Sequence, residues 1–358
     1  MRVADARSNS HGPSYLHRRR LERVRVTAGF IRTVLGDTSA DDFDVVYAHE
    51  HVIIDSPLIA AAFPHIHLFD EEDAVTELSE CRHSGVGLML DAMPCSSGRV
   101  IDRLARISAR SGVAIVAATG LHHDRYYGPL HWSNRVSVDA LAELFVADLT
   151  EGIDLFDYAS PVIERTDHRA GVIKVATSGE HPDARDRRNL EAAAQASVVT
   201  GAPIITHCEG GTGAIAQVEL LNGWGVAGSQ IILSHVDKIA DLSHLRDIAS
   251  TGAVLECDQS LRQADKGVAS LTAQAICALV TEGFGSQVVV GTDGARRSLW
   301  RSLGGEPGLA WLATELPLIL TELGLDVSQI SAVMGGNAAR ALTWKCAPTP
   351  SRTAREYP

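Results

Sequence analysis

Two histidines flank one glutamate in the stretch YAHEHVIID, at His49, Glu50 and His51. The run around them, FDVVYAHEHVII, is rich in β-branched and aromatic residues and reads as a strand. Alternate side chains of a strand share a face, so His49 and His51 aim together and Glu50 points the other way. Two imidazoles converging on one spot suit a metal ion. They equally suit two core histidines satisfied by hydrogen bonds, and the other chemistry-bearing residues must decide.

Four such residues close other short apolar runs: Lys174 in GVIKVAT, His207 in APIITHCEGG, His235 in QIILSHVD and Asp293 in QVVVGTDG. Lys174 is the informative one. A lysine between apolar neighbours on a central strand is costly unless it is paired or its pKa falls. One resolution is a salt bridge to Asp293 with no metal. Another is a neutral amine that reacts with carbon dioxide; the resulting carbamate has two oxygens and can bridge two cations.

The elements that must bring these residues together follow from periodicity. DVVYAH, VGLMLDAM, VAIVAATG, GVIKVAT, APIITH, QIILSH, GAVLECD and QVVVGTD are strand candidates, eight in all, with helical patterns between most of them. In DRRNLEAAAQASVVTG, Leu190, Ala194, Ser197 and Val198 recur at helical spacing and Gly201 supplies a C-terminal stop. DLSHLRDIASTG and LTAQAICALVTEG also end in glycine before the next strand. Runs such as IIL and VVV lack polar alternation, as in a parallel sheet buried on both faces. Eight such units point to a (β/α)8 TIM barrel, whose strand C-termini converge on one mouth. An open doubly wound sheet would want a Gly-rich phosphate loop after an early strand, and EGGTG lacks the GxGxxG spacing.

Composition narrows the function classes. With 358 residues, 45% of them hydrophobic, the chain can bury a large core, and barrels of this size form one domain. A net charge of −12 argues against general affinity for nucleic acid or anionic membrane, leaving a small molecule as the expected partner. No apolar run is long enough to span a bilayer. The six cysteines are scattered without a CxxC pair; Cys95, Cys208 and Cys257 read as small buried thiols at strand ends, and a reducing cytoplasm fits. Arg18–Arg20 is not followed by a long uncharged apolar stretch, so an export signal is not expected. The expected organisation is a basic disordered extension over 1–25, one barrel over 26–346 and a disordered tail over 347–358.

The pattern HEH … IKVAT … THCEGGTG … LSHVD … GTD, with TVLGD before the first strand, ATGLH closing the third and GGNAARAL near the end, resembles the phosphotriesterase-like family of the amidohydrolase superfamily. The likeness runs over nearly the whole chain outside the tails. It implies a metal-dependent hydrolase with two divalent metal ions, zinc foremost, with manganese and cobalt also suited. By the resemblance, His49, His51 and Asp293 hold the more buried ion and His207 and His235 the more exposed one. Carbamylated Lys174 and a hydroxide bridge the two, and Asp293 takes the proton as hydroxide attacks. A homodimer is likewise the family-based expectation. All six ligand positions carry suitable residue types, which speaks against a non-catalytic metal-binding barrel.

Within the family, lactonases differ from organophosphate triesterases in the loops. The triesterase specialists carry an Asp and a His after strands six and seven; the matching positions here are Lys238 and Gln259, so that proton relay is absent. A lactonase is the leading expectation, and a triesterase or carboxylic esterase the alternative. Lys238, Arg262 and the Arg296–Arg297 pair follow strands six to eight and suit an anionic substrate such as a phosphorylated or carboxylated sugar lactone. They are alternatively solvated or paired with Asp237, Glu256 and Asp258. The segment GLHHDRYYGPLHW supplies His122, His123, Tyr126, Tyr127 and Trp132 for a pocket wall or a subunit contact, with His122 and Tyr127 as substrate contacts. SLWRSLGGEPGLAWL, with Trp300, is a second candidate lid, and Met89, Met93 and Met334 read as core.

Overall fold

The computed structural model describes residues 29–345. The expected extension, 1–25, and tail, 347–358, lie outside the described residues. An antiparallel hairpin, β1 (Ile31–Thr33) and β2 (Gly36–Thr38), leads into the main sheet. Its strands are β3 (Val45–Glu50), β4 (Val86–Asp91), β5 (Ala114–Gly120), β6 (Ala170–Thr177), β7 (Ile204–Cys208), β8 (Ile231–Ser234), β9 (Val254–Cys257) and β10 (Val288–Val290). All eight pair in parallel and in sequential order. Helices intervene, among them Ile101–Ser111 after β4, Ala184–Thr200 after β6 and Leu271–Leu279 after β9. The eight strands foreseen from the sequence are those observed, and the fold is the (β/α)8 barrel. No single helix among the described residues is long and apolar enough to cross a membrane.

The core separates into two layers, as strand alternation requires. Tyr47, Met89, Ile115, Ile173, Ile204, Leu233, Leu255 and Val288 belong to the cluster beneath the helices. Val46, Ala48, Leu88, Leu90, Val116, Ala118, Val172, Ile205, Ile232, Val254 and Val289 form a second cluster, the barrel interior, plugged below by Ile31 and by Ala338, Ala341 and Leu342 of the last helix. Counting two residues up from Val172, Ile205 and Val254 gives Lys174, His207 and Glu256. Counting up from Val289 gives Gly291 and then Asp293.

Closure of the ring brings β10 against β3. The N–H groups of Thr292 and Asp293 both donate to the His49 carbonyl, at 3.2 and 3.0 Å. Gly291 permits this approach: a Cβ there would lie 2.7 Å from both the nitrogen and the oxygen of His49 and 2.9 Å from a Glu256 carboxylate oxygen. Gly291→Ala is therefore expected to destabilise the protein by about 2–3 kcal/mol through overpacking, read as a lowered denaturant midpoint; a midpoint equal to the parent's contradicts this account of closure.

Candidate metal centre

Strand phase alone does not deliver all four histidines. Val46 and Ala48 face the interior, so His49 would point outward on a regular strand. The pairing of β3 with β4 slips between Tyr47 and Glu50, where the register runs from Tyr47↔Met89 to Glu50↔Asp91. That extra residue is a β-bulge. It turns His49 inward, places His51 beside it and leaves Glu50 facing away, as the alternation of the three residues suggested. Glu50 serves the opposite side of the strand. Its carboxylate accepts from the N–H of Thr292 at 2.8 Å and of Gly294 at 3.4 Å, and from the Thr292 hydroxyl. It thereby fixes the loop that carries Asp293. Burial pushes the Glu50 carboxyl up to about 8, against the opposing pull of those hydrogen bonds.

His235 is also out of phase with Ile232. It enters the site because the chain leaves β8 in a left-handed turn, with φ 67° at His235. Asp293 has φ 45°. A residue with a Cβ pays about 1 kcal/mol for this region, so the two turns are a local cost borne at the mouth of the barrel.

The result is a close cluster. The His49 ring lies 5.3 Å from His51 and 4.8 Å from His235, and His207 and His235 are 4.4 Å apart, centroid to centroid. Asp293 Oδ1 is 3.4 Å from His51 Nε2 and 4.0 Å from His49 Nε2. His235 Nε2 and His207 Nδ1 meet at 2.9 Å. Burial first, then neighbouring positive groups, holds His49 and His207 well below the usual imidazole range. Both are neutral at pH 7 and offer lone pairs.

Glu256 and Asp258 were not anticipated as part of the centre, only as counter-charges. Their spacing in LECD, two apart at a strand end, was the available signal. Glu256 Oε2 lies 3.3 Å from His49 Nδ1, and Asp258 hydrogen-bonds His235 Nδ1. Each histidine thus turns one nitrogen to a carboxylate and the other to the centre, the arrangement that fixes tautomer and ring orientation in metal-ligating histidines. The two acids differ. Burial and the adjacent Asp258 charge drive the Glu256 carboxyl well above the usual carboxylate range. For Asp258, burial acts upward but the His235 charge and hydrogen bond outweigh it, and its carboxyl falls below the ordinary value.

Lys174 tests whether the cluster fits cations. Its ammonium nitrogen is fully buried and makes no hydrogen bond. The salt bridge to Asp293 considered from sequence does not form; Asp293 instead pairs with Arg262 at 2.9 Å. Burial lowers Lys174 from 10.5 to about 8, despite the opposing charges of Asp293, Glu256 and Asp258. His51 Nδ1 is likewise buried without a partner. Donor atoms of His49, His51 and Asp293 lie within 4.8 Å of one another, as do those of His49, His235, Glu256 and Asp258. An orphaned amine and histidine nitrogens crowded against one another are what a cation-binding set looks like, and the donors present fit divalent ions.

Beside the centre opens a cavity of about 360 Å³, lined by His51, His207, His235 and Asp293 at its floor. That volume suits a small organic molecule. Lys238, Arg262, Arg296 and His122 line it. One expectation needs correction and two need extending. Tyr127 is buried behind the wall, where its hydroxyl accepts from the His122 N–H at 2.8 Å; Tyr126 is the tyrosine that lines the cavity. Met93 is part of the core, as expected, and its edge also lines the cavity. Arg262 spends its donors on the carbonyls of Thr292, Asp258 and Asp293 and on Asp293 Oδ2, so it clamps the end of β10 as well as lining the pocket. Sequence reasoning missed Arg125 and His65, both on the wall. Trp300 packs, 1% exposed, and donates to the Gly294 carbonyl.

Lys174 carries a prediction with a definite sign. Its amine ionises near 8 in the fold and near 10.5 when free. The folded state therefore resists the protonated form, and the penalty is complete below pH 8 and gone above pH 10.5. In chelated, carbon dioxide-free protein, Lys174→Met should stabilise by about 2–3 kcal/mol at pH 7 and by little near pH 11. Thermal melts at the two pH values check it; a destabilised Met variant at pH 7 contradicts the unpaired amine.

Comparison with known proteins is consistent with this geometry. The model of the phosphotriesterase family matches residues 29–342. A phospho-furanose lactonase from Mycoplasmopsis agalactiae is 32% identical over 64% of this chain and 65% of its own length. Another from Mycoplasmopsis synoviae is 26% identical over 88% of this chain and 92% of its own. The crystal structure of a lactonase from Listeria monocytogenes superposes with a TM-score of 0.80 at 25% identity, covering 88% of this chain and all of the other. The chain spans 61% and 65% of the length of the first two curated relatives it matches. Over nearly the whole of its described length, then, this chain belongs to the phosphotriesterase family.

Proposed function

We propose that the protein is a lactonase that uses two divalent cations and acts on a sugar lactone bearing an anionic group. The observation that carries this reading is the clustering of His49, His51, His207, His235 and Asp293, with the buried Lys174 amine close enough to act on His49 and His207, beside a cavity whose wall bears Arg125, Lys238, Arg262 and Arg296. The names of the relatives from Mycoplasmopsis agalactiae and Mycoplasmopsis synoviae, phospho-furanose lactonases, support it. His49, His51 and Asp293 would hold one ion, His207 and His235 the other, and Lys174 both. The Lys174 role requires the neutral amine to attack carbon dioxide, forming an N–C bond and releasing a proton. Zinc, manganese and cobalt all suit this donor set.

When bound, the cations would supply Lewis acidity toward the lactone carbonyl and lower the pKa of a bound water to about 7. The chain supplies the rest. Burial acts upward on Asp293, but the hydrogen bond from His51 and the charges of His235 and Arg262 reverse it, holding the carboxylate well below its usual range. Asp293 is thus ionised and ready to take the proton of the attacking water. Arg262 binds Oδ2, which keeps the carboxylate oriented. Asp293 then returns the proton to the ring oxygen as the acyl C–O bond breaks, and one water and one lactone become a hydroxy acid. Lys238 and Arg296 are exposed on the cavity wall and free to meet the anionic group.

Parallel assays on phosphorylated lactones, plain lactones, aryl esters and phosphotriesters test the reading, with chelated protein as control. Phosphorylated lactones should give the highest kcat/KM, and chelation should remove the activity until zinc, manganese or cobalt is restored. Turnover of a triester or aryl ester with no lactone turned over refutes it. Lys238→Met and Arg296→Met should each raise KM for a phosphorylated lactone about tenfold, the worth of one charge-assisted contact, and leave plain lactones nearly unchanged. Arg262→Met should instead lower kcat, because it frees Asp293; equal KM effects on both lactone types in the first pair would remove the anion from the proposal.

A further inference from the structure

His207 differs from its neighbours in what stands behind it. His49 and His235 are backed by Glu256 and Asp258, both fully buried on β9 and just past its end. His207 is backed by Glu209, two residues along its own chain and partly exposed. The chain folds back on itself to achieve this. Glu209 opens a short turn, Glu209–Gly211, with Gly210 at φ 61°, a conformation natural to glycine. The Glu209 carbonyl accepts from both the N–H and the hydroxyl of Thr212, at 3.1 and 2.8 Å, which locks the turn.

Three positive or proton-bearing groups then meet a single oxygen. Glu209 Oε2 lies 2.8 Å from His207 Nε2, 3.1 Å from an Arg125 guanidinium nitrogen and 3.2 Å from His123 Nε2. His123 Nε2 is buried and, although close to Glu209, makes no hydrogen bond. Arg125 and His123 belong to the loop after β5, and Arg125 and Glu209 both line the cavity. On the other side of its ring, His207 turns Nδ1 to His235 and the centre.

We infer that Glu209 is a positioning residue: it holds His207 through Nε2 so that Nδ1 faces the second cation, and Arg125 ties that hold to the cavity-lining loop after β5. Glu209 accepts a hydrogen bond from the Nε2–H, which fixes the tautomer and makes Nδ1 more basic. Arg125 keeps the carboxylate in place by sharing its oxygen. The loop that shapes the cavity and the orientation of one metal ligand are therefore set by the same carboxylate. This inference rests on the two-cation reading above.

The test measures cation affinity directly, by chelator competition with zinc and by the visible absorption of cobalt-loaded protein. Glu209→Ala should weaken the second cation about 10- to 100-fold and leave the first unchanged, the range seen when such carboxylates are removed. Glu209→Gln keeps an oxygen acceptor and should recover part of the loss. Arg125→Gln should weaken the same cation by a smaller factor and add nothing in the Glu209→Ala background. On a lactone turned over by the parent, Glu209→Ala should depress kcat more than it raises KM. A parent that takes up no second cation overturns the functional reading. A parent that does, with Glu209→Ala and Glu209→Gln matching its affinity within twofold, overturns the role of Glu209 alone.

Discussion

The apolar filling of the barrel interior is the constraint on which the site depends. Val172, Ile205, Val254 and Val289 pack against one another inside the ring, and burying them is worth roughly 1.5–3 kcal/mol each. That burial fixes which face of each strand looks inward. Every polar residue two or four positions further up the strand is then committed to the mouth. Lys174, His207, Glu256 and Asp293 occupy the site because valine and isoleucine occupy the layer below. A one-residue slip in any of these strands would send a candidate ligand into the helix layer and an apolar side chain into the cavity.

Two histidines arrive by departures from this rule. The bulge in β3 re-aims His49, and a left-handed turn at His235 swings that ring over the barrel. Such irregularities cost local stability, and they concentrate where function needs a side chain that regular geometry would misplace. The surrounding structure holds both. Glu50 pins the loop after β10 from the outer face, and Arg262 clamps it from above. Neither group belongs to the proposed ligand set, yet both help hold the segment that carries the Asp293 carboxylate.

Electrostatically, the centre is arranged to receive positive charge. Neutral imidazoles crowd together, a lysine amine is buried without a partner, and ionised Asp258 and Asp293 sit among them. In a low-dielectric interior such an assembly is unfavourable by itself. Divalent cations would relieve it by taking the histidine lone pairs and balancing the carboxylates. Stability given up in a metal-free chain would then be the counterpart of affinity for such ions.

Residue type and spacing alone determined the strand count, the parallel barrel, and His49, His51, Lys174, His207, His235 and Asp293 as a set of possible ligands, because uninterrupted apolar runs and their polar terminal residues are local features. The inward facing of Lys174, His207 and Asp293 could also be read this way, since strand alternation is a two-residue rule. The bulge at β3, the turn at His235 and the clamp by Arg262 could not, because each is imposed by pairing with a strand or loop distant in sequence. For the same reason the tyrosine on the cavity wall proved to be Tyr126 rather than Tyr127, and Arg125 and Glu209 went unnoticed: which side of an irregular loop faces a cavity has no period to betray it. Tertiary structure decided those matters, because a loop's side chains take their direction from whatever the barrel brings against them.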